Sequence, residues 1–204
     1  MAQEVKPTRS ELIKLKKRIE LAKSGYDLLK KKRDGLILEF FEVLKKAKTV
    51  RKELVEEYRK ALRKMNIARA AESDLKIKAL ALGVSEKRDL KLHTKNIMGV
   101  IVPQIEYTYQ EKGLFDRGYS IISSSSKIDE AAAAYNNVIH KIVKVAEIET
   151  SLKRLLQEIE KTKRRVNALD FVVIPKMEDT KKFITFRLEE MERENIFRMK
   201  RIKA

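Results

Sequence analysis

The chain has 204 residues, with 47 Lys and Arg against 30 Asp and Glu, a formal charge of +17. That length suits one domain or two small ones, and six Gly and three Pro leave little room for the turns of an all-β fold. The absence of cysteine excludes a disulfide scaffold, thiolate metal sites and a cysteine nucleophile. No apolar run approaches the roughly 20 residues of a membrane-spanning helix, and Met1–Ser10 is polar, so no signal peptide is expected. The composition predicts a soluble, intracellular, Lys/Glu/Leu-rich helical protein.

From Ser10 to about Ala71 no proline interrupts the chain, and apolar residues recur at alternating spacings of three and four. The seam runs Leu12, Leu15, Ile19, Ala22, Tyr26, Leu29, Arg33, Leu36, Phe40, Val43, Ala47 and Val50, and only Arg33 breaks it. It continues through Leu54, Tyr58, Ala61, Met65 and Ala68 after a stutter at Leu54–Tyr58, which relaxes a left-handed supercoil. Pro7 and Thr8 mark the start, with Ser10 as a further candidate cap. Gly25 and Gly35 each cost about 1 kcal/mol inside a helix. They signify local softness or the close approach of a second backbone.

Residues 73–126 change character. Asp89–His93 alternates weakly, Ile97–Ile105 is β-branched around Gly99 and Pro103, Tyr107 and Tyr109 follow, and Gly113 and Gly118 punctuate the rest. This predicts a small cap with short helices and a short β-hairpin.

A second long helix is expected over 127–204, capped from the serine run Ser123–Ser126, with Asp129 and Glu130 complementing its first turn. Its seam reads Tyr135, Val138, Ile142, Val145, Glu149, Leu152, Leu156, Ile159, Lys163, Val166, Asp170, Val173 and Met177, then Ile184, Leu188 and Met191. Pro175 predicts a kink near Phe171–Ile174. Neither helix can bury its stripe alone. The predicted fold is therefore an all-α, long antiparallel two-helix coiled coil made by residues 1–72 and 127–204, with the 73–126 region as its cap.

The motifs of catalysis are missing. There is no Gly-rich phosphate loop, HExxH or EF-hand spacing. His93 and His140 lie in different segments, and the carboxylates around Glu189–Glu194 belong to a mixed-sign solvated face. Nothing nominates a metal, a cofactor or a catalytic residue.

Charge offers more. Folding Ala71 back near Lys127 brings Lys30, Lys31, Lys32 and Arg33 towards Lys161, Lys163, Arg164 and Arg165. Arg198, Lys200, Arg201 and Lys203 gather with Lys6, Arg9, Lys14, Lys16 and Lys17 at the other tip. Scattered lysines ordinarily serve solubility, whereas a coincident band repels itself and points to an anionic partner surface. The same fold-back brings Arg33 towards Asp170, as a register-fixing buried pair or as two side chains that snorkel to solvent.

Taken in order, Pro7-Thr8, Leu28–Asp34 (LLKKKRD), Asn96–Pro103 (NIMGVIVP), Arg164–Pro175 (RRVNALDFVVIP) and Arg187–Arg193 with Glu194–Lys203 span nearly the whole chain. In these stretches the sequence resembles the D subunits of the archaeal-type and vacuolar-type rotary ATPases. The resemblance implies a non-catalytic central-stalk rotor shaft for ATP synthesis or ion transport, with the ATP chemistry on an A/B-type hexamer. It implies three partners: that hexamer, the small F subunit of the stalk, and a socket subunit above the membrane ring. The location implied is peripheral, on the cytoplasmic side of the cell membrane, without nucleic acid or membrane insertion. Lacking a eukaryotic-type C-terminal extension, the sequence fits the archaeal or bacterial form. Candidate hexamer contacts are Lys30, Lys31, Lys32, Arg33, Lys161, Lys163, Arg164, Arg165, Arg198, Lys200 and Arg201. Candidate stalk and socket contacts are Asn96, Met98, Val100 and Tyr107. Charge and periodicity alone also admit a basic coiled-coil nucleic-acid binder, whose affinity would fall steeply with salt, or a membrane-surface helical dimer drawn to anionic lipid.

Overall fold

The computed structural model describes residues 6–83, 90–107 and 124–203. Tyr109, Gly113, Gly118, Asp89 and Ser123, named above, lie outside them. The described elements are α1 (Arg9–Ala71), α2 (Asp74–Gly83), a hairpin of β1 (Leu90–Ile97) and β2 (Val100–Tyr107), α3 (Ser126–Ala168), a π-helical segment (Leu169–Val173) and α4 (Ile174–Lys203). The fold is all-α with long helices and one small antiparallel hairpin, as periodicity predicts. Two compact units form, one from residues 1–37 and 158–204, the other from 38–157.

Helix starts are set by hydroxyl caps. Glu11 N–H donates to Thr8 Oγ1 at 3.2 Å and Leu12 N–H to the Thr8 carbonyl at 3.0 Å. Thr8, not Ser10, is therefore the cap, and Thr8-x-x-Glu11 has the capping-box spacing. Ser125 caps α3, accepting from Lys127 N–H at 3.2 Å. At α2, Ser73 accepts from the N–H groups of Lys76 and Ile77. The Lys78 ammonium hydrogen-bonds Asp74 and, with Coulombic help from Arg69, holds that carboxyl below its usual value.

In the first unit the seam of α1 is covered at every expected position, with Ile19 and Leu36 buried. Opposite them lie Thr162, Val166 and Ile184, also buried. Two cross-helix ion pairs pin the antiparallel register: Arg9 to Glu192, and Lys23 to Glu178 at 2.7 Å. The hydrogen bond from Lys23, then its charge, hold Glu178 below the usual carboxylate range.

In the second unit α1 buries Ala61 and Ala68 against an α3 face carrying Ala131, Val138, Ser151 and Leu155. Lys141 reaches Glu53 at 3.5 Å and Glu57 at 4.0 Å. Glu57 is half-buried and Tyr58 exposed, so the stutter falls at Glu57–Ala61–Met65 rather than Leu54–Tyr58. The hairpin packs Val100 and Val102 inward, and Arg154 Nη1 ties it to α3 by donating to the Ile101 carbonyl at 2.7 Å.

The second seam keeps Tyr135, Val138, Val145, Leu152, Ile159 and Val166 covered as expected, but its alternate positions fall one residue earlier than the sequence reading placed them. Glu149, Leu156, Lys163, Asp170 and Val173 are exposed, whereas Ile148, Leu155, Thr162 and Leu169 face inward. This removes all three polar breaks from the seam. The π segment then resets the phase. Ile174 N–H donates to the Leu169 carbonyl, five residues back, which inserts one residue into the turn. The inward face resumes at Ile174, Met177 and Ile184. Pro175 therefore acts where its kink was expected, but through a change of helical period. It has no N–H for the carbonyl of Phe171 in an α turn or of Asp170 in a π turn.

Three outcomes follow. Leu155 is 0% exposed and Leu156 45%, so Leu155→Ala should cost about 2–5 kcal/mol in urea unfolding and Leu156→Ala well under half of that. A methyl group at Gly25 would meet nothing within 4 Å, which supports local softness over close approach; Gly25→Ala should add about 0.5–1 kcal/mol. Because the folded Glu178 pKa is depressed, its stabilisation is complete above the unfolded value and fades as pH falls through the folded one. The urea-midpoint difference between wild type and Lys23→Met should accordingly shrink on acidification below roughly pH 4.

Candidate functional site

The surfaces available for recognition are cationic runs, exposed apolar residues and the hairpin. Among the described residues there is no cluster of three or more potential metal ligands, and no helix is long and apolar enough to cross a membrane. An apolar cavity lies in the second unit. It holds about 190 Å³ between α1, α2 and α3, lined by Met65, Ala68, Ile77, Leu80, Ile128 and Tyr135 among others. It offers no polar group around which chemistry could be organised.

In the first unit the two ion pairs join residues whose numbers add to 201, 9 with 192 and 23 with 178. Lys30–Arg33 therefore lie level with residues 168–171, at the π segment. The run Lys161–Arg165 sits further along, level with no residue of the first run, so the two form a staggered band rather than a coincident one. Lys30, Lys31, Lys161, Lys163, Arg164 and Arg165 are exposed, and Lys32 and Arg33 half-buried. Lys30 lies 5.8 Å from the centre of the Tyr26 ring, a cation–π distance. Of these eight cations only Arg33 forms an ion pair among the described residues.

Of the two readings of Arg33 and Asp170, the buried pair does not form: Arg33 pairs with Asp34 instead. Arg33 Nε and Nη2 both donate to Asp34 Oδ1, at 2.9 and 2.8 Å. Asp170 is exposed because the π segment carries it out of the seam. The neighbouring carboxylate captures a guanidinium that has no partner across the interface. At the other end Arg198, Lys200 and Arg201 are exposed on α4, beyond the Arg9–Glu192 pair.

Hairpin residues divide by role. Ile97 pairs with Val100 around a two-residue turn in which Met98 (φ 49°) and Gly99 (φ 85°) are both left-handed, as a type I′ hairpin turn requires. Asn96 Oδ1 accepts from Gly99 N–H at 2.8 Å, so its side chain builds the turn. Val100 is buried and presents nothing outward. Tyr107 is half-buried with its ring centre 5.8 Å from that of His140. Of the four stalk-contact candidates only Met98 offers an exposed, uncommitted side chain. Periodicity missed Phe171 and Val172 and placed Val173 in the seam, whereas all three are exposed at the π segment. Their one signal was a run of four consecutive apolar residues, Phe171–Ile174, ahead of a helix-interior proline.

Comparison with known proteins identifies the family. The family model for the D subunit of ATP synthase matches residues 11–204. The D subunit of the A-type ATP synthase of Methanosarcina mazei is 55% identical over 202 residues, covering 99% of this chain and 97% of its own. That of Methanosarcina acetivorans is 56% identical with the same coverage. The corresponding D subunit of Haloarcula marismortui is 50% identical over 204 residues, covering all of this chain and 89% of its own. Long mated helices, a small hairpin and matches across nearly the whole length lead to one conclusion: the chain belongs to the family of ATP synthase D subunits.

Proposed function

We propose that this chain is the central-stalk rotor subunit of an archaeal-type rotary ATP synthase, transmitting torque between a catalytic hexamer and an ion-translocating membrane ring. The observation that carries the reading is family membership over residues 11–204, with relatives named as D subunits of A-type ATP synthases at 50–56% identity. On this reading the ATP chemistry resides in the A/B-type hexamer and the chain has no catalytic residue of its own. Its other partners are the small F subunit of the stalk and the socket subunit above the ring. The assembly is peripheral, on the cytoplasmic side of the membrane.

The geometry supports the role physically. A shaft biases a ring of catalytic pockets only if it contacts them unequally, since a ligand shifts an equilibrium by its differential affinity for the two states. Two mated helices have no rotational symmetry matching such a ring, and the cationic runs and exposed apolar residues of the first unit are unevenly placed along them. Buried seam residues such as Leu36, Val166 and Ile184 resist slippage of one helix past the other.

The test is reconstitution of the full chain with the purified hexamer and the small stalk partner, with a bead attached through the hairpin. ATP should drive unidirectional rotation in steps matching the number of catalytic interfaces. A chain that does not join the hexamer, or a bead that only diffuses, would overturn the reading.

A further inference from the structure

The π segment turns apolar residues outward. Phe171 is 74% exposed, Val172 61% and Val173 38%. An uninterrupted α-helix would have kept the period that places Val173 in the seam and Asp170 beside it. The π turn removes Asp170 from the core, and in doing so presents consecutive apolar side chains to solvent. Such turns recur at functional sites because they re-aim side chains without ending the helix.

The register adds a second observation. Val173, Val172 and Phe171 lie level with Leu28, Leu29 and Lys30, so the exposed Leu28 shares their height. The run Lys30–Arg33 begins at this level, and Lys161–Arg165 ends a turn before the π segment. Apart from Arg33, none of these cations forms an ion pair among the described residues. Asp27, Asp34, Glu158, Glu160 and Asp170 are the carboxylates flanking the two runs in sequence, five against eight cations, and of them only Asp34 pairs with a cation of the runs among the described residues. An apolar projection amid uncompensated cations is complementary to an apolar tip flanked by carboxylates.

We infer that Phe171, Val172 and Val173 form an apolar boss that docks an acidic loop of the surrounding ring, the loop's apolar tip resting on the boss and its carboxylates meeting the two cationic runs. The inference rests on the rotor reading above and names the part of the partner that this level of the helices meets. A protein loop suits the patch better than a lipid surface. The boss is confined to one short segment, whereas interfacial helices carry a continuous apolar face.

The experiment measures binding of the full-length chain to the purified catalytic ring across a sodium chloride series, together with helicity and thermal unfolding of each variant. Phe171→Ala with Val172→Ala should weaken binding about tenfold or more, with an unchanged salt slope and unchanged helicity. Phe171→Leu should bind like wild type, because the boss is read as apolar surface. Leu82→Ser, an exposed position on α2, should have no effect. Lys163→Glu with Arg164→Glu should flatten the salt dependence. Wild-type affinity in the double alanine variant would overturn the inference while leaving the rotor reading intact. Failure of the wild-type chain to bind the ring would overturn both. Binding to phosphatidylcholine–phosphatidylglycerol vesicles that the double variant abolishes would reassign the boss to lipid and overturn the loop.

Discussion

Two apolar stripes, neither of which can be buried by its own helix, are the constraint on which this structure depends. A stripe repeating at 3.5 residues leaves a seam along one side of an α-helix, and only another helix of matching period can cover it. In the first unit that match places Ile19 and Leu36 of α1 in the same core as Val166 and Ile184. The pairs Arg9–Glu192 and Lys23–Glu178 lie along its margins. Being exposed, they select the register more than they stabilise it. In the second unit the same constraint is met with alanines at Ala61, Ala68 and Ala131, and α2 borders an apolar cavity beside Ala68 and Ala131.

How much of this was legible depended on whether the helical period stayed constant. On α1 every seam position from Leu12 to Val50 is covered, because the alternating spacing of three and four stays constant over that stretch, even though Ile13, Leu21, Leu28, Leu38 and Phe41 lie exposed on other faces. On α3 both readings share Val138, Val145, Leu152, Ile159 and Val166, and Leu155 and Leu156 are adjacent, so two seams that differ by one residue at alternate positions fit almost equally well. The polar positions decide between them. Glu149, Lys163 and Asp170 all fall in the seam of one reading and outside that of the other. A constant period made the first reading attractive, since it carries Val166 through to Val173 and Met177. The extra residue of the π turn is what allows the second, and hydrophobic spacing does not report it. Pro175 located the disturbance without revealing its form.

Surface roles were less legible than the core, for a related reason. Residue type says that Val100 and Tyr107 are good contact residues, but a hairpin lying on α3 turns Val100 inward and sets Tyr107 beside His140. Asn96 reads as a recognition side chain until its carbonyl is seen holding Gly99 N–H. Lysine runs, by contrast, are exposed almost wherever they fall, and what remained to be learned was their height along the partner helix. The ion pairs supply it, moving Lys30–Arg33 from beside Lys161–Arg165 to beside the π segment.

That displacement changes what the charge does. Cations spread evenly around a pair of helices would attract an acidic ring equally at every angle, adding affinity but no angular preference. Coupling on the proposed reading needs the opposite, a surface whose contacts differ from one face to the next. Screened by physiological salt over about 8 Å, a cationic run guides a loop but discriminates poorly between neighbouring positions. Apolar contact is short-ranged, lost within a fraction of an ångström of misfit. A boss of Phe171, Val172 and Val173 set among cations therefore divides the work: the charges draw the carboxylates of a loop near, and the apolar surface distinguishes the loop that is seated from those that are not. The π turn contributes to both parts at once, since the same inserted residue that keeps Asp170 out of the core turns the apolar side chains towards the partner.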